Sequence, residues 1–469
     1  MAILRAEIAA LGPGDRLPSS RDLIARHGVG PVTVSRAIAL LAAEGAVVTR
    51  PGSGTYVAAR RSRQGDEVPD TSWQAVALAG RDHAPGAESD SDPGEADGPS
   101  GPLPAGAIEL AGGYLHENLQ PTTALGAALA RAARRPDAWH RAPAAGLEPL
   151  RAIFARQVGS GVGPEDVLVT GGGQGALSML FRAISAPGSP VLVESPTYPG
   201  ALAAARAAGL RPVPVPMDDD GIRPDLLADA FAMTGARLLY CQPTFHNPTG
   251  TVLAPERRRQ VVDVARAAGA FLIEDDFARH LGHGGPVPRP LVADDRDGTV
   301  VHLTSLTKPA SPSLRIGAVT ARGPVMRRLQ AMRRVDDFFI ARPLQEAAVE
   351  LLSTPAWDRH LRALATALRD RCAALADALA RELPDWTLTR IPAGGLHLWL
   401  RLPPAVADTA VADVARAHGV TVDLGRRYFP AEAPAAYLRL GFAAAAAPAE
   451  LTEAARRLAA ARPPGHTAA

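Results

Sequence analysis

Along the first sixty residues the spacing of apolar positions predicts helices and then strands. Leu17-Pro18-Ser19-Ser20-Arg21-Asp22-Leu23 reads as a helix start, with Ser19 placed to cap free backbone amides and Asp22 placed to reach back. The helix is expected to stop at Gly28, and a second to begin at Gly30-Pro31, where proline suits the first helical position. Val34, Ile38 and Leu41 then share one face, with Thr33, Ser35 and Arg36 on the other. After Gly45 come Val47-Val48-Thr49-Arg50, the tip Pro51-Gly52-Ser53-Gly54, and Thr55-Tyr56-Val57, which predict a hairpin. Two short helices joined by a glycine-containing turn and followed by a hairpin predict a winged helix-turn-helix over 1–60. Its first helix reads as short at the N-terminal end, so a truncated start is expected.

From Arg61 to about residue 106 the pattern vanishes. No aliphatic residue larger than alanine stands between Gly80 and Pro102, and acidic residues outnumber arginines. Such a stretch buries too little apolar surface to offset its ordering entropy and reads as a flexible acidic tether. Over 107–469 strand-like and helix-like segments alternate, which predicts an α/β fold with a large, mostly parallel sheet and helices on both faces. Five short apolar strands, 167–170, 191–194, 238–241, 271–274 and 300–303, each run into a polar loop. A helix is expected over Ala176–Ala186. From about Trp357 the chain reads as long Ala/Leu/Arg helices with a few strands, including 397–400 and 420–422, which suits a smaller C-terminal α/β domain.

Composition narrows the function classes. The 469 residues are 47% hydrophobic and 21% charged, the balance of a soluble globular protein. A net charge of only +2 means that any contact with nucleic acid has to be local. The 1–60 unit supplies such a patch, because arginines at 5, 16, 21, 26, 36, 50 and 60 outnumber Glu7, Asp15, Asp22 and Glu44. The other use of such a unit is a helical hairpin for dimerisation. Cys241 and Cys372, the only cysteines, exclude a disulfide framework or a cysteine zinc site. His280, His283 and His302 lack the spacing of a metal site and read as ordinary loop polar residues. Nothing reads as a signal peptide or a membrane span, so a cytoplasmic protein is expected.

The candidate chemistry centres on Lys308, the only lysine in the chain. An amine can lose its proton when desolvated and attack a carbonyl, which a guanidinium cannot; a surface lysine left by chance is the plain alternative. The loops after the five strands carry Gly172-Gly173-Gln174, Tyr198, Asn247, Asp275, and Ser305 with Lys308, and Arg315 follows seven residues later. Ligands bind at this end of open α/β sheets. A pyridoxal phosphate site needs a lysine, a carboxylate for the ring nitrogen, an aromatic stacking face, a partner for the ring oxygen and phosphate anchors. These residues supply each of them.

Residues 17–57, with LPSSRDL, TVSRAIALLAAEG and RPGSGTYV, resemble the winged helix of GntR-type regulators. That resemblance implies that Arg21, Thr33, Ser35, Arg36 and the Ser53–Gly54 tip face double-stranded operator DNA. Gly30-Pro31 stands where many relatives have Ser-Arg, so the operator sequence does not carry over. Residues 107–445, with VTGGGQGAL, SPTYPG, HNPTG, IEDD and SLTKPASPSLRIG, resemble fold-type I aminotransferases. By that resemblance Lys308 bears the aldimine, and Arg439 is the candidate grip for an α-carboxylate. Phe277 departs from the tyrosine often found there, which removes a hydroxyl from the ring oxygen. The two units in this order resemble the MocR family, including its PdxR-like members. This implies a homodimeric regulator that senses pyridoxal phosphate or an amino compound. A working aminotransferase carrying a DNA-binding module, with at least a residual half-reaction, and a regulator that binds no cofactor both stay open.

Overall fold

The computed structural model describes residues 2–9, 11–50, 53–58, 106–159, 161–404 and 406–461. The expected tether over 61–106 lies outside them, apart from Gly106. The chain divides into two units.

The first unit contains helices α1 (Ala2–Ala9), α2 (Ser20–His27) and α3 (Pro31–Ala43) and a hairpin of β1 (Val47–Arg50) and β2 (Gly54–Val57). The expected local chemistry is present. The Ser19 hydroxyl accepts from the Asp22 amide at 3.3 Å, the Asp22 carboxylate accepts from the Ser19 amide at 3.2 Å, and Gly28 ends α2 at φ 63°. Leu23, Val34, Ala37 and Leu41 pack with Leu4, Leu17, Val47 and Val57 into a small core, while Ile38 is only half-buried. Residues 14–17 extend the hairpin, since Leu17 N–H donates to Thr55 O at 2.8 Å and Val57 N–H to Asp15 O at 2.8 Å.

The second unit holds β3 (Ile108–Glu109), β4 (Val167–Thr170), β5 (Pro190–Ser195), β6 (Arg211–Asp218), β7 (Gly221–Ile222), β8 (Leu238–Cys241), β9 (Phe271–Asp275), β10 (Val300–Ser305) and β11 (Gly317–Thr320). Eight of these form one sheet in the order β4-β11-β10-β9-β8-β5-β6-β7, with β11 antiparallel to both neighbours and the β10-β9-β8-β5-β6 run parallel. Alternate residues serve opposite faces, as the strand period of two requires. Val191, Val193, Leu238 and Tyr240 pack against helices Gly173–Ile184 and Pro199–Ala207. Leu192, Leu239 and Cys241 pack against Pro224–Thr234 and Pro255–Ala267. Burial on both faces explains the unbroken apolar runs.

A second, antiparallel sheet joins β12 (Thr387–Leu388), β13 (His397–Arg401), β15 (Asp423–Leu424) and β16 (Tyr437–Gly441) beside the 28-residue helix Pro355–Glu382. Two expectations are corrected. The helix expected to begin at Ala176 begins at Gly173, because the glycine loop itself forms the first turn. The strand expected within 420–422, β14 (Val420–Thr421), pairs in parallel with β3 and lies outside the smaller sheet. That pairing fixes the segment after Glu109, and Gly441 N–H donating to Leu110 O at 2.6 Å holds it further.

Candidate functional site

The C-terminal ends of β4, β5, β8, β9 and β10 open on one pocket, whose lining includes Gly173, Gln174, Tyr198, Asn247, Asp275, Ser305, Lys308, Arg315 and Arg439. The sequence thus brought nine candidate residues together, and Gly172 caps the helix that Gly173 starts. In that first turn several backbone amides lack helical partners and the positive end of the helix dipole adds to them, a ready anion cradle. Gly172 is at φ +87°, and a side chain there would begin 3.0 Å from the Arg315 guanidinium, which itself donates to Gly171 O at 2.8 Å. The Ser305 hydroxyl donates to Thr307 Oγ1 at 3.0 Å and accepts from the Thr307 amide at 3.2 Å.

Lys308 is half-buried, and its Nζ donates to Gly113 O at 2.6 Å and sits 3.7 Å from the centre of the Tyr114 ring. Burial, and then the nearby Arg439 and Arg315 charges, pull the amine down from 10.5 to about 7, with Asp275 opposing. The reactive, unprotonated amine is therefore populated at neutral pH. Its reaction rate with pyridoxal phosphate is expected to rise with pH to a midpoint near 7, followed as growth of visible absorbance. Asp275→Asn is expected to move that midpoint down and Arg439→Gln to move it up. A wild-type midpoint near 10 would refute the assignment.

The Asp275 carboxylate is buried, and its Oδ2 accepts from Tyr240 Oη at 2.7 Å and Gln242 Nε2 at 2.9 Å. Burial pushes its pKa up while these two bonds pull it back. Gln242 also accepts from the Asn247 amide at 3.1 Å, and its own amide donates to buried Glu194 at 2.7 Å. The Gln242 side chain thus ties Asp275 to the Asn247 backbone, while its backbone N–H ties the same residue to Glu194. Tyr198 Oη donates to Gln174 Oε1 at 3.2 Å, and burial pushes the phenol up to about 12. Phe277 lines the wall with no hydroxyl to offer. Arg439 is buried on β16, with Nη1 2.9 Å from His397 Nε2 and Nη2 donating to Ala111 O at 2.6 Å. Burial, and then the nearby Arg439 and Lys308 charges, hold His397 well below its ordinary pKa, so the ring is neutral.

Sequence reading missed Gly113, Tyr114, Tyr240, Gln242, Thr307 and His397. Tyr240 and His397 look like core positions inside apolar strands. Gly113 and Tyr114 reach Lys308 through long-range ties of their segment, the pairing of β3 with β14 and the Gly441 and Arg439 bonds to Leu110 and Ala111. Thr307 alone carried a signal, as a hydroxyl beside the lysine. The histidine reading is corrected in part: His302 is a buried strand residue, its Nε2 3.0 Å from Asp276 Oδ2. No cluster of three or more candidate metal ligands occurs among the described residues.

In the first unit Arg21, Thr33, Ser35, Arg36 and Ser53 are exposed and Gly54 is half-buried. Arg5 and Arg26 are paired with Glu44 and Glu7, whereas Arg21 and Arg36 have no ion-pair partner among the described residues. Ser53 Oγ lies 2.8 Å from Tyr56 Oη, and the Arg50 guanidinium sits 4.9 Å over the Tyr56 ring, which braces the wing.

A winged helix joined to a fold-type I aminotransferase fold, with the one lysine of the chain in its pocket, defines a regulator-type architecture. Residues 111–458 match the family "Aminotransferase class I and II", and residues 1–57 match "Bacterial regulatory proteins, gntR family". The chain belongs to the aminotransferase class I and II family and combines it with a gntR-family domain, the MocR type of regulator. It is 30% identical over 448 residues to the uncharacterized HTH-type transcriptional regulator YdcR of Escherichia coli, covering 92% of this chain and 91% of that one. It is also 30% identical over 343 residues to 2-aminoadipate transaminase of Thermus thermophilus, covering 72% of this chain and 86% of the enzyme. Among solved structures, α-aminoadipate aminotransferase LysN of T. thermophilus, complexed with N-(5'-phosphopyridoxyl)-L-leucine, superposes with a TM-score of 0.72. That pair is 30% identical, with 76% of this chain and 92% of that chain covered.

Fold and relatives support pyridoxal phosphate as the cofactor, and the residues present fit it. Asn247 lines the pocket, and its buried side-chain oxygen has no hydrogen-bond partner among the described residues. A polar atom so placed is costly unless a ligand satisfies it. The anion cradle, the buried carboxylate and the low-pKa amine stand around the same space.

Proposed function

We propose that the protein is a DNA-binding transcriptional regulator that senses pyridoxal phosphate, or an amino compound reacting with it, through Lys308. The observation that carries this reading is the only lysine in the chain, its amine pulled to about 7, set among an anion cradle and a buried carboxylate. Bound there, pyridoxal phosphate supplies an aldehyde open to amine attack and an electron-withdrawing ring. Gly172, Gly173, Gln174, Ser305 and Arg315 would hold the phosphate, and Tyr198 would stack on the ring. Asn247 would meet the ring oxygen. Asp275 would keep a proton at the ring nitrogen, and Arg439 would face the amino compound.

In the proposed division, 1–60 reads DNA, 61–106 is a tether and 107–469 holds the cofactor, in a cytoplasmic homodimer. Among the described residues no helix is long and apolar enough to cross a membrane. Arg21, Thr33, Ser35, Arg36, Ser53 and Gly54 form the proposed DNA face. Occupancy of the pocket would shift the dimer between two arrangements with different ligand affinity, and so change how the winged helices meet the operator.

The test is binding to DNA from the protein's own upstream region, with and without pyridoxal phosphate. Binding in neither state would refute the regulator, and equal binding in both would refute the sensor. Arg36→Ala is expected to weaken operator binding about tenfold and to reduce the salt slope of log K by about one. Titrations at several salt concentrations measure both, and an unchanged slope would remove Arg36 from the interface. Steady product formation from amino acids and keto acids at ordinary enzyme rates would replace the sensor by an enzyme.

A further inference from the structure

Arg439 does not present a free fork to the pocket. A guanidinium grips a carboxylate in parallel through two neighbouring N–H groups, either Nη1 with Nη2 or Nε with Nη2. Both pairs need Nη2. In this protein Nη2 already donates to Ala111 O at 2.6 Å and stands 2.8 Å from the Asp423 carboxylate. Nη1 faces the neutral His397 ring at 2.9 Å. Nε, buried, has no hydrogen-bond partner among the described residues.

The Asp423 contact is built into the sheet. Asp423 on β15 and Arg439 on β16 are directly paired cross-strand neighbours, so register sets them side by side. The same oxygen that faces Arg439, Asp423 Oδ2, also accepts from the Tyr428 hydroxyl at 2.7 Å, and Asp423 Oδ1 lies 3.9 Å from Arg427 Nη1. Tyr428 is itself buried, and its carbonyl accepts from the Thr197 amide at 2.7 Å, beside Tyr198 of the pocket. An incoming carboxylate would therefore share one guanidinium with a resident one, at the cost of like-charge repulsion, and with at most a single unobstructed N–H of the end-on pair.

We infer that Asp423 is a specificity-determining residue: by occupying Nη2 of Arg439 it disfavours α-amino acids, so that the pocket prefers amines without an α-carboxylate. This rests on the proposed pyridoxal-phosphate reading of the same pocket. The same cross-strand pair neutralises the charge that would otherwise draw in a carboxylate.

The experiment uses the full-length chain loaded with pyridoxal phosphate and titrates L-alanine against ethylamine, its decarboxylated counterpart. The visible spectrum reports occupancy, and borohydride trapping reports release of Lys308. Ethylamine is expected to bind the wild type more tightly than L-alanine. Asp423→Asn is expected to tighten L-alanine about tenfold and to leave ethylamine and cofactor loading unchanged. If Asp423→Asn leaves the preference unchanged, or weakens L-alanine, Asp423 only positions Arg439 and the inference falls while the cofactor reading stands. If Asp423→Asn fails to fold, Asp423→Ser supplies the same comparison. A wild-type chain that takes up no pyridoxal phosphate overturns both readings together.

Discussion

Borohydride reduction of the protein loaded with pyridoxal phosphate is expected to leave a single internal phosphopyridoxyl label, at Lys308, and Lys308→Ala to lose it entirely. No other side-chain amine exists in the chain, so intact mass and one peptide map decide the matter. Lys308→Arg is expected to fail equally, because a guanidinium stays protonated and does not attack an aldehyde. Loss of fold does not confuse this result. An amine whose pKa falls from 10.5 unfolded to about 7 folded binds fewer protons in the native state between those values. Its burial therefore opposes folding most below pH 7, and the penalty fades as pH rises toward 10.5. Lys308→Ala is expected to melt no lower than the wild type at pH 6, by thermal denaturation. A label persisting elsewhere inside the Lys308→Ala chain would overturn the assignment.

Gly172→Val is expected to weaken pyridoxal phosphate binding by roughly tenfold to a hundredfold, from about 1–3 kcal/mol of backbone strain. The backbone at φ +87° suits glycine, and a β-branched side chain there would also begin 3.0 Å from the Arg315 guanidinium. The loop has to open, or Arg315 has to leave the cradle, and either change removes a phosphate anchor. Gly175→Ala is the matched control, since nothing lies within 4 Å of the added carbon and the residue is helical. Cofactor titration by absorbance separates the two variants. Equal affinity in both would mean that the glycine loop holds no phosphate.

Much of this arrangement was legible because the parallel sheet writes itself into the sequence. Strands buried on both faces are short apolar runs, and the polar residues that follow them converge by topology, so Asp275, Asn247 and Ser305 were found without coordinates. Ser19, Asp22, Gly28 and Pro31 likewise marked their helix ends through local hydrogen-bond and φ demands. What stayed hidden depends on long-range pairing. Gln242 looks like one more loop residue until its side-chain amide is seen bridging Asp275 and the Asn247 backbone, with its backbone N–H on Glu194. The partners of Arg439 were invisible for the same reason, because only the β15–β16 register sets Asp423 beside it. Helix starts at glycine are also poorly marked, which is why Gly173 was placed before its helix.

The bond between Lys308 and the Gly113 carbonyl has a mechanical reading. Whatever uses up the hydrogens of that amine leaves the carbonyl without its donor, and Gly113 lies four residues after β3 ends at Glu109. From β3 onward this short run is clamped by Val420–Thr421 and Gly441, so a disturbance at its pocket end has little slack to dissipate in. The pocket end of this run is thereby coupled through the backbone to β3, β14 and β16, so the loss of one hydrogen bond at Gly113 is borne by strand pairing within the second unit.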